Sequence, residues 1–235
     1  MNRRSFLERT CTAGAASLPM ATLPASAAQA RPRAYARTLL VDAIGQPLRA
    51  SQLRPHVNYL FHYPYASTPV FLLNLGRALE GHSLSAGGGS AVYHWPGGAG
   101  PRRSVVAYCA ICPYNLVHPS AEISLISYRP DRARRGVQNG LIHCCADQCQ
   151  FDPAHGAAVL AGPAHQPLAA VLLSHDPARD TLTAYGTLGA PLFDPFFARF
   201  EGQLKARAGA GTRVPVSAQA RVWELSAYCP NTVQC

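Results

Sequence analysis

The fold is decided by the stretch Val105-Val-Ala-Tyr-Cys-Ala-Ile-Cys112, a short apolar run that ends in two cysteines. A second apolar run, which begins at Leu141, ends in the same way, in His143-Cys-Cys-Ala-Asp-Gln-Cys149. Runs of four to eight residues rich in valine, isoleucine and aromatic residues predict β-strands. Two adjacent strands that end in cysteines would present their thiols on neighbouring loops, where a tetrahedral metal ion or a small iron–sulfur cluster can bind.

The composition of the rest of the chain favours a loop-rich, mostly β protein. Hydrophobic residues make up 48% of the 235 residues, and 20 prolines and 19 glycines interrupt them. This composition excludes a disordered chain and a coiled coil, and no apolar run approaches the roughly 18 residues of a membrane-spanning helix. One helix is predicted after Asp194, where Pro195 suits the first turn and Phe196, Phe197 and Leu204 form an apolar face.

The charge of the chain does not predict a nucleic-acid partner. The formal net charge is +9, but the arginines that carry it are scattered along the sequence instead of being gathered in one stretch. The sequence contains no nucleophile elbow, no zinc-protease motif and no phosphate-binding loop. With only 12 acidic residues and one lysine, Lys205, an electron-transfer subunit is favoured over a stand-alone enzyme, although the enzyme question stays open.

The first 30 residues predict an export signal. Arg3-Arg-Ser-Phe-Leu7 is typical of the twin-arginine route, and Ala28-Gln-Ala30 fits a cleavage site. The twin-arginine route carries folded proteins, often with a cofactor already inserted, so a periplasmic protein with no transmembrane anchor after cleavage is expected. We divide the remainder into one domain, 31–208, and a C-terminal extension, 209–235.

The cysteines admit two kinds of chemistry. Thiolates bind soft and borderline metals, whereas an oxidising compartment favours disulfides. The chain without its signal has seven cysteines, so complete internal pairing would leave one over. Cys229 and Cys235 are close enough in sequence to form a small disulfide loop. For the other five, spacing alone leaves metal binding and disulfide bonding open.

The sequence around these cysteines resembles the Rieske [2Fe–2S] iron–sulfur family, most closely the small subunit of arsenite oxidase. The resemblance is carried by Val105-Val-Ala-Tyr108, Phe151-Asp152, Gly162-Pro-Ala164 and Asp180-Thr-Leu-Thr-Ala-Tyr-Gly186. It implies an antiparallel β sandwich or barrel with a cluster-binding subdomain inserted at about 109–165. It also implies one-electron transfer through a [2Fe–2S] centre, with a large molybdenum-type oxidoreductase subunit or a cytochrome c as partner.

The cluster-binding pattern of that family is altered in this sequence. Tyr114 and Asp147 stand where the family has its two ligand histidines, and Val117 and Ala146 stand where it has the cysteines of its inter-loop disulfide. We therefore predict all-cysteine ligation of the [2Fe–2S] centre. The predicted ligands are Cys109, Cys112, Cys144 and Cys149, with Cys145 as the alternate.

Three alternatives to an iron–sulfur centre remain open at this stage. The first is a clusterless structural subunit whose loops are joined by a disulfide such as Cys112–Cys144. The second is a zinc or mononuclear iron site on the same cysteines. The third is a thiol–disulfide enzyme that uses Cys109-Ala-Ile-Cys112, although no thioredoxin-like βαβ pattern surrounds this pair.

Overall fold

β-Strands dominate the computed structural model, which describes residues 28–29, 31–85, 87, 91–130 and 140–235. The strands are β1 (Ala28–Gln29), β2 (Arg33–Val41), β3 (Tyr59–His62), β4 (Pro69–Asn74), β5 (His82–Ser85), β6 (Ala91–Trp95), β7 (Val105–Cys109), β8 (Ile126–Arg129), β9 (Leu141–Cys144), β10 (Cys149–Asp152), β11 (Ala158–Ala161), β12 (Ala170–Asp176), β13 (Thr181–Leu188), β14 (Ala218–Arg221) and β15 (Trp223–Glu224). The helices are α1 (Phe193–Ala208) and α2 (Leu225–Tyr228), with 3-10 turns at Ala50–Gln52, Pro153–His155 and Gly209–Arg213. The predicted mostly β fold is confirmed.

Eight strands form one large sheet that curls into a nearly closed barrel. Their order is β14-β2-β13-β12-β7-β4-β3-β15, so β14 and β15 are the two edge strands. Only Val222 lies between these strands in the chain, and one residue spans about 3.5 Å at most. The two edges of the sheet must therefore lie side by side. The segment 209–235, treated as an extension in the sequence analysis, contributes both edge strands of the barrel.

The strand β7 separates the interior of the barrel from its outer face. Its residues alternate in direction, as in any β-strand. Val105 and Ala107 join the buried cluster that lines the barrel, together with Phe61. Val106 and Tyr108 point the other way, into a second buried cluster outside the barrel. This alternation determines which of two cysteines, Cys109 at the end of β7 or Cys112 just after it, can meet the second cysteine loop, 143–149.

A four-stranded antiparallel sheet packs on this outer face. Its order is β11-β10-β9-β8, and it lies within the subdomain predicted at about 109–165. Phe151 and Ile142 belong to the same buried cluster as Tyr108. The Tyr108 hydroxyl donates a 2.7 Å hydrogen bond to the Pro153 carbonyl and so joins the two sheets. The small sheet carries the second cysteine loop.

A third sheet, of order β1-β6-β5, contains the last residues of the predicted signal. Ala28 and Gln29 pair in parallel with Ala91 and Val92, and the other residues of the predicted signal, 1–27 and 30, lie outside the described residues. Within the described part of the chain, no helix has both the length and the apolar character that a membrane span requires.

The predicted helix forms, but it begins two residues earlier than expected. α1 starts at Phe193, and its residues Phe196 and Phe197 are buried. Asp194, expected as the helix cap, lies in the first turn and pairs with Arg213, with 2.5 Å between Oδ1 and Nη2. The apolar periodicity predicted the helix correctly, whereas the residue at the cap position is Leu192, which makes no side-chain capping bond.

His62, on β3, packs against aromatic residues of the C-terminal segment 209–235. The ring centroid of His62 lies 6.0 Å from that of Trp223 and 5.7 Å from that of Tyr228. Burial among these rings lowers the pKa of His62 from 6.5 to about 4. The neutral form is therefore favoured in the folded protein.

We expect His62 to make the fold sensitive to acid. Its pKa is lower in the folded than in the unfolded state, so its contribution is complete above pH 6.5 and is lost as the pH falls toward 4. Between pH 7 and pH 5 it should lower the free energy of unfolding by about 2 kcal/mol. His62→Phe, which keeps an aromatic ring but does not titrate, should remove this part of the pH dependence. Urea unfolding of both proteins at pH 7 and pH 5 checks this. An equal change in the free energy of unfolding in the two proteins would contradict it.

Candidate metal centre

The first cysteine loop closes tightly on itself just after β7. The Cys112 amide donates to the Val117 carbonyl at 2.8 Å, and the Leu116 amide donates to the Cys112 carbonyl at 2.9 Å. These two bonds fix the backbone of Cys112, whose side chain is fully buried. The loop therefore presents one thiol in a fixed position.

The second cysteine loop is a hairpin between β9 and β10. Cys144 ends β9 and Cys149 begins β10, and the two residues are directly paired across the strands. Directly paired residues place their side chains on the same face of a sheet, about 5 Å apart at Cβ. Both side chains are fully buried. The hairpin therefore contributes two neighbouring thiols.

The two loops meet in one group of potential ligands. The ligand atoms of Cys112, Cys144 and Asp147 all lie within 4.8 Å of one another, and no other group of three or more meets this criterion among the described residues. Cys144 Sγ lies 3.7 Å from Asp147 Oδ2. The Cys149 thiol joins the group through a hydrogen bond with Cys112. The result is a set of three thiols and one carboxylate.

This set has the number and kind of donors that a four-coordinate metal needs. At a metal–sulfur distance of about 2.3 Å, two sulfurs on one tetrahedral ion are about 3.8 Å apart. The ligand atoms of Cys112, Cys144 and Asp147, which all lie within 4.8 Å of one another, would reach that spacing after a small inward movement. Thiolates favour zinc, iron and iron–sulfur clusters, and a carboxylate oxygen is also a ligand for zinc and iron.

The thiols influence one another electrostatically. The Cys112 thiol donates a hydrogen bond to Cys144, which lowers the pKa of Cys144 and raises that of Cys112. Burial raises the pKa of Cys149 to about 12. Of the three thiols, Cys144 is thus the one that ionises most readily.

Asn115 holds the carboxylate in place. Its Nδ2 donates a 2.6 Å hydrogen bond to Asp147 Oδ1, while Oδ2 of the same carboxylate faces Cys144. Sequence analysis did not identify Asn115. The signal available in the sequence was the position of Asn115 directly after Tyr114 in the first cysteine loop, where its side chain can reach a ligand on the second cysteine loop.

The segment Gly162-Pro163-Ala164 covers the second loop. A Cβ atom on Gly162 would lie 2.6 Å from Cys149 Cα and 2.7 Å from the Gln148 carbonyl oxygen. The Ala164 backbone also forms a hydrogen bond with Cys149, which lowers the pKa of that thiol.

Cys109, predicted as a ligand, does not join the group. It lies on the same side of β7 as Val105 and Ala107, and it packs against Phe193 and Phe196 of α1. Its amide donates a 2.8 Å hydrogen bond to the Ala169 carbonyl, which fixes it on that side. The alternation of side chains along β7 is the reason that Cys109 and Cys112 face different surroundings.

Cys145 and the predicted Cys229–Cys235 disulfide also differ from the sequence prediction. Cys145 is bonded to Cys235, with 5.4 Å between their Cα atoms, whereas Cys229 is a free, buried thiol. α2 directs Cys229 into the core, and the tail then continues to the second loop. Cys145 is therefore not the alternate ligand in this structure. Of the predicted cysteine ligands, Cys112 and Cys144 lie together with Asp147, and Cys149 is paired with Cys144 across the hairpin. Ligation of a metal by these residues stays a prediction.

The two positions of the family's ligand histidines have different surroundings. Asp147 joins the thiols, as described above. Tyr114, in the first loop, is 48% exposed. Of the two positions that the resemblance aligns with ligand histidines, one carries a potential metal ligand and the other presents an aromatic ring to solvent.

We expect Asn115→Ala to weaken metal binding without preventing folding. Loss of the amide frees Asp147 Oδ1 and leaves the carboxylate without its orienting partner. Removing such a partner costs about 10- to 100-fold in metal affinity. Competition with a chromogenic chelator measures the change. Asn58→Ala serves as a control, because Asn58 Nδ2 bonds a backbone carbonyl on β8, away from the ligands. An unchanged affinity in Asn115→Ala would contradict the assigned role.

Comparison with known proteins returns no matching family model. Among solved structures, the chain is similar to the soluble domain of the Rieske protein II (soxF) from Sulfolobus acidocaldarius. The TM-score is 0.47 and the sequence identity is 22%, over 65% of this chain and 78% of that chain.

Proposed function

We propose that this protein is a periplasmic electron-transfer protein, or the small subunit of an oxidoreductase, that binds a redox-active metal centre between its two cysteine loops. The ligands are Cys112, Cys144, Cys149 and Asp147. The observation that carries the proposal is that two buried thiols and one carboxylate from two separate loops lie within 4.8 Å of one another, with the third buried thiol, Cys149, paired to Cys144 across the hairpin. Its location in the periplasm rests on the twin-arginine pattern at residues 1–30.

Metal binding accounts for the carboxylate better than a purely structural role does. The carboxylate of Asp147 lies close to the thiols, with 3.7 Å between its Oδ2 and Cys144 Sγ. A carboxylate and the thiolates that form on metal binding repel one another in a partly buried site unless a cation compensates their charge. A metal ion or an iron–sulfur cluster supplies that cation.

The family resemblance favours a [2Fe–2S] cluster as the occupant, and the donor set fits one in number. When bound, such a cluster supplies reversible one-electron exchange. Thiolate and carboxylate ligands carry more negative charge than the neutral imidazoles of a Rieske centre. The reduction potential of a cluster bound in this protein should therefore lie below the Rieske range of roughly −150 to +300 mV.

The protein's own residues exclude water from this site and fix its ligands. The three thiols are fully buried, and Gly162 holds the covering segment against the second loop. Asn115 orients Asp147. Tyr114 is exposed and follows the ligand Cys112 by two positions in the chain. We therefore place the docking face for a molybdenum-type subunit or a cytochrome c at this loop.

The test is elemental analysis of protein exported in its native host and purified without oxygen. Two irons and two acid-labile sulfides per chain, with an electron paramagnetic resonance signal on reduction, are the expected result. One zinc per chain with no iron would retain the site but overturn electron transfer. Absence of all three elements, repeated after cluster reconstitution, would overturn metal binding.

A second candidate function is a clusterless structural subunit. The observation that favours it is the proximity of the Cys112 and Cys144 thiols, whose Sγ atoms lie within 4.8 Å of each other. Oxidation would join the two loops by a disulfide in place of a metal. Alkylation under denaturing conditions followed by mass spectrometry separates the two functions: this candidate predicts a linked Cys112–Cys144 peptide, whereas a metal site predicts alkylated thiols.

A further inference from the structure

The last residues of the chain run along the small sheet and end at the second cysteine loop. The Ser124 amide donates to the Asn231 carbonyl, and the Val233 amide donates to the Ser124 carbonyl, both at 2.9 Å. Ser124 and Thr232 form a parallel β-bridge. The tail, residues 229–235, is therefore held by backbone pairing up to Val233.

The end of the tail is fixed by Arg129 and by the disulfide. Arg129 Nη1 donates to the Cys235 carbonyl at 2.5 Å, and Nη2 donates to the Val233 carbonyl at 3.1 Å. The Cys145–Cys235 bond joins residues 90 positions apart. Cys145 directly follows the ligand Cys144 and lies two positions before Asp147. Any movement of Cys145 must therefore move part of the ligand set.

The disulfide is more accessible than the thiols beside it. Cys235 is exposed and Cys145 is half-buried, whereas Cys112, Cys144 and Cys149 are fully buried. A small reductant therefore reaches this bond before it reaches the ligands. A dithiol would supply the two electrons and two protons that convert the disulfide into two thiols, and would itself become a disulfide.

We propose that the Cys145–Cys235 disulfide is a redox-sensitive latch that holds the second loop closed over the metal centre. This inference rests on the proposed function of the same site. With the bond intact, the tail and Arg129 keep Cys144 and Asp147 in position, and the metal exchanges slowly. With the bond reduced, the loop opens more often and releases the metal faster. The latch retains the metal in an oxidising compartment, where the disulfide persists.

The first experiment measures metal release from the full chain loaded with cobalt(II), whose thiolate bonds give a visible absorption band. Release into excess chelator is followed for the oxidised protein, for the same protein after mild phosphine reduction, and for the double variant Cys145→Ser with Cys235→Ser. We expect release at least tenfold faster in the last two. Cys229→Ser, which removes a buried thiol of the same tail, should release cobalt at the oxidised rate. Equal rates in the oxidised and reduced proteins would overturn the latch.

A second readout needs no metal and separates failure of the latch from failure of the proposed function. The rate at which a maleimide labels Cys112, Cys144 and Cys149 is measured by mass spectrometry in metal-free protein. Faster labelling after reduction supports the latch even when no metal binds, whereas unchanged labelling overturns it. Because mild reduction is applied to folded wild-type protein and checked by circular dichroism, this readout holds even where the double variant does not fold.

Discussion

Replacing Cys144 with serine should abolish metal binding. Cys144 lies between Cys112 and Asp147, and it is the thiol whose pKa is lowered by its neighbour. A serine hydroxyl stays protonated at neutral pH and cannot replace the thiolate as a ligand. We expect metal affinity to fall by at least about 100-fold, since a removed ligand costs more than the 10- to 100-fold of a supporting residue. Metal analysis of the purified variant, with competitive titration, measures the loss.

The matched control is Cys109→Ser, which makes the same chemical change at another fully enclosed thiol. Cys109 is 2% exposed and packs against α1 on the other side of β7. The buried hydroxyl should lower the free energy of unfolding by about 1–3 kcal/mol, and the metal content should stay at the wild-type level. Loss of metal in Cys109→Ser equal to that in Cys144→Ser would restore the ligand set predicted from the sequence and contradict the geometry described above.

Gly162→Ala should damage both the stability of the fold and the metal site. Gly162 has a φ of +89°, and its added Cβ would meet the backbone of Cys149 and Gln148 at 2.6–2.9 Å. Backbone atoms of a short hairpin cannot move aside as a flexible side chain does. The left-handed backbone and the forced displacement together should lower the free energy of unfolding by about 3 kcal/mol. Because the displaced atoms belong to a ligand, metal affinity should fall by at least about tenfold.

Gly140→Ala separates the two causes. Gly140 has a φ of +75° and precedes β9 of the same small sheet, but an added Cβ there would meet no atom of the described residues within 4 Å. Gly140→Ala should lower the free energy of unfolding only by the cost of a left-handed backbone at a residue with a Cβ, about 1 kcal/mol. Its metal affinity should stay at the wild-type level. Chemical denaturation and chelator competition on both variants check the difference. Equal losses in the two glycine variants would show that the covering segment does not press on the second loop.

Most of the fold was predictable because it depends on local patterns. The apolar run that begins at Val105 became β7, and the run that begins at Leu141 became β9. Alternation and apolar periodicity act over a few residues, so one sequence carries them directly. The closure of the barrel by residues 209–235 was not predictable, because β14 and β15 are short and pair with strands more than 150 residues earlier.

The candidate site was predictable in part. The sequence by itself determined that two strand ends carry cysteines, and its resemblance to the Rieske family led us to expect Asp147 at the position of a ligand. Only the tertiary structure decided which cysteines meet. Cys109 and Cys112 are three positions apart, yet the alternation of β7 and the turn after it send them to different clusters. Cys235 is 90 positions from Cys145, yet the pairing of the tail with Ser124 brings them together. Spacing along a chain determines local direction, whereas contact between distant residues depends on the path that the packed strands impose.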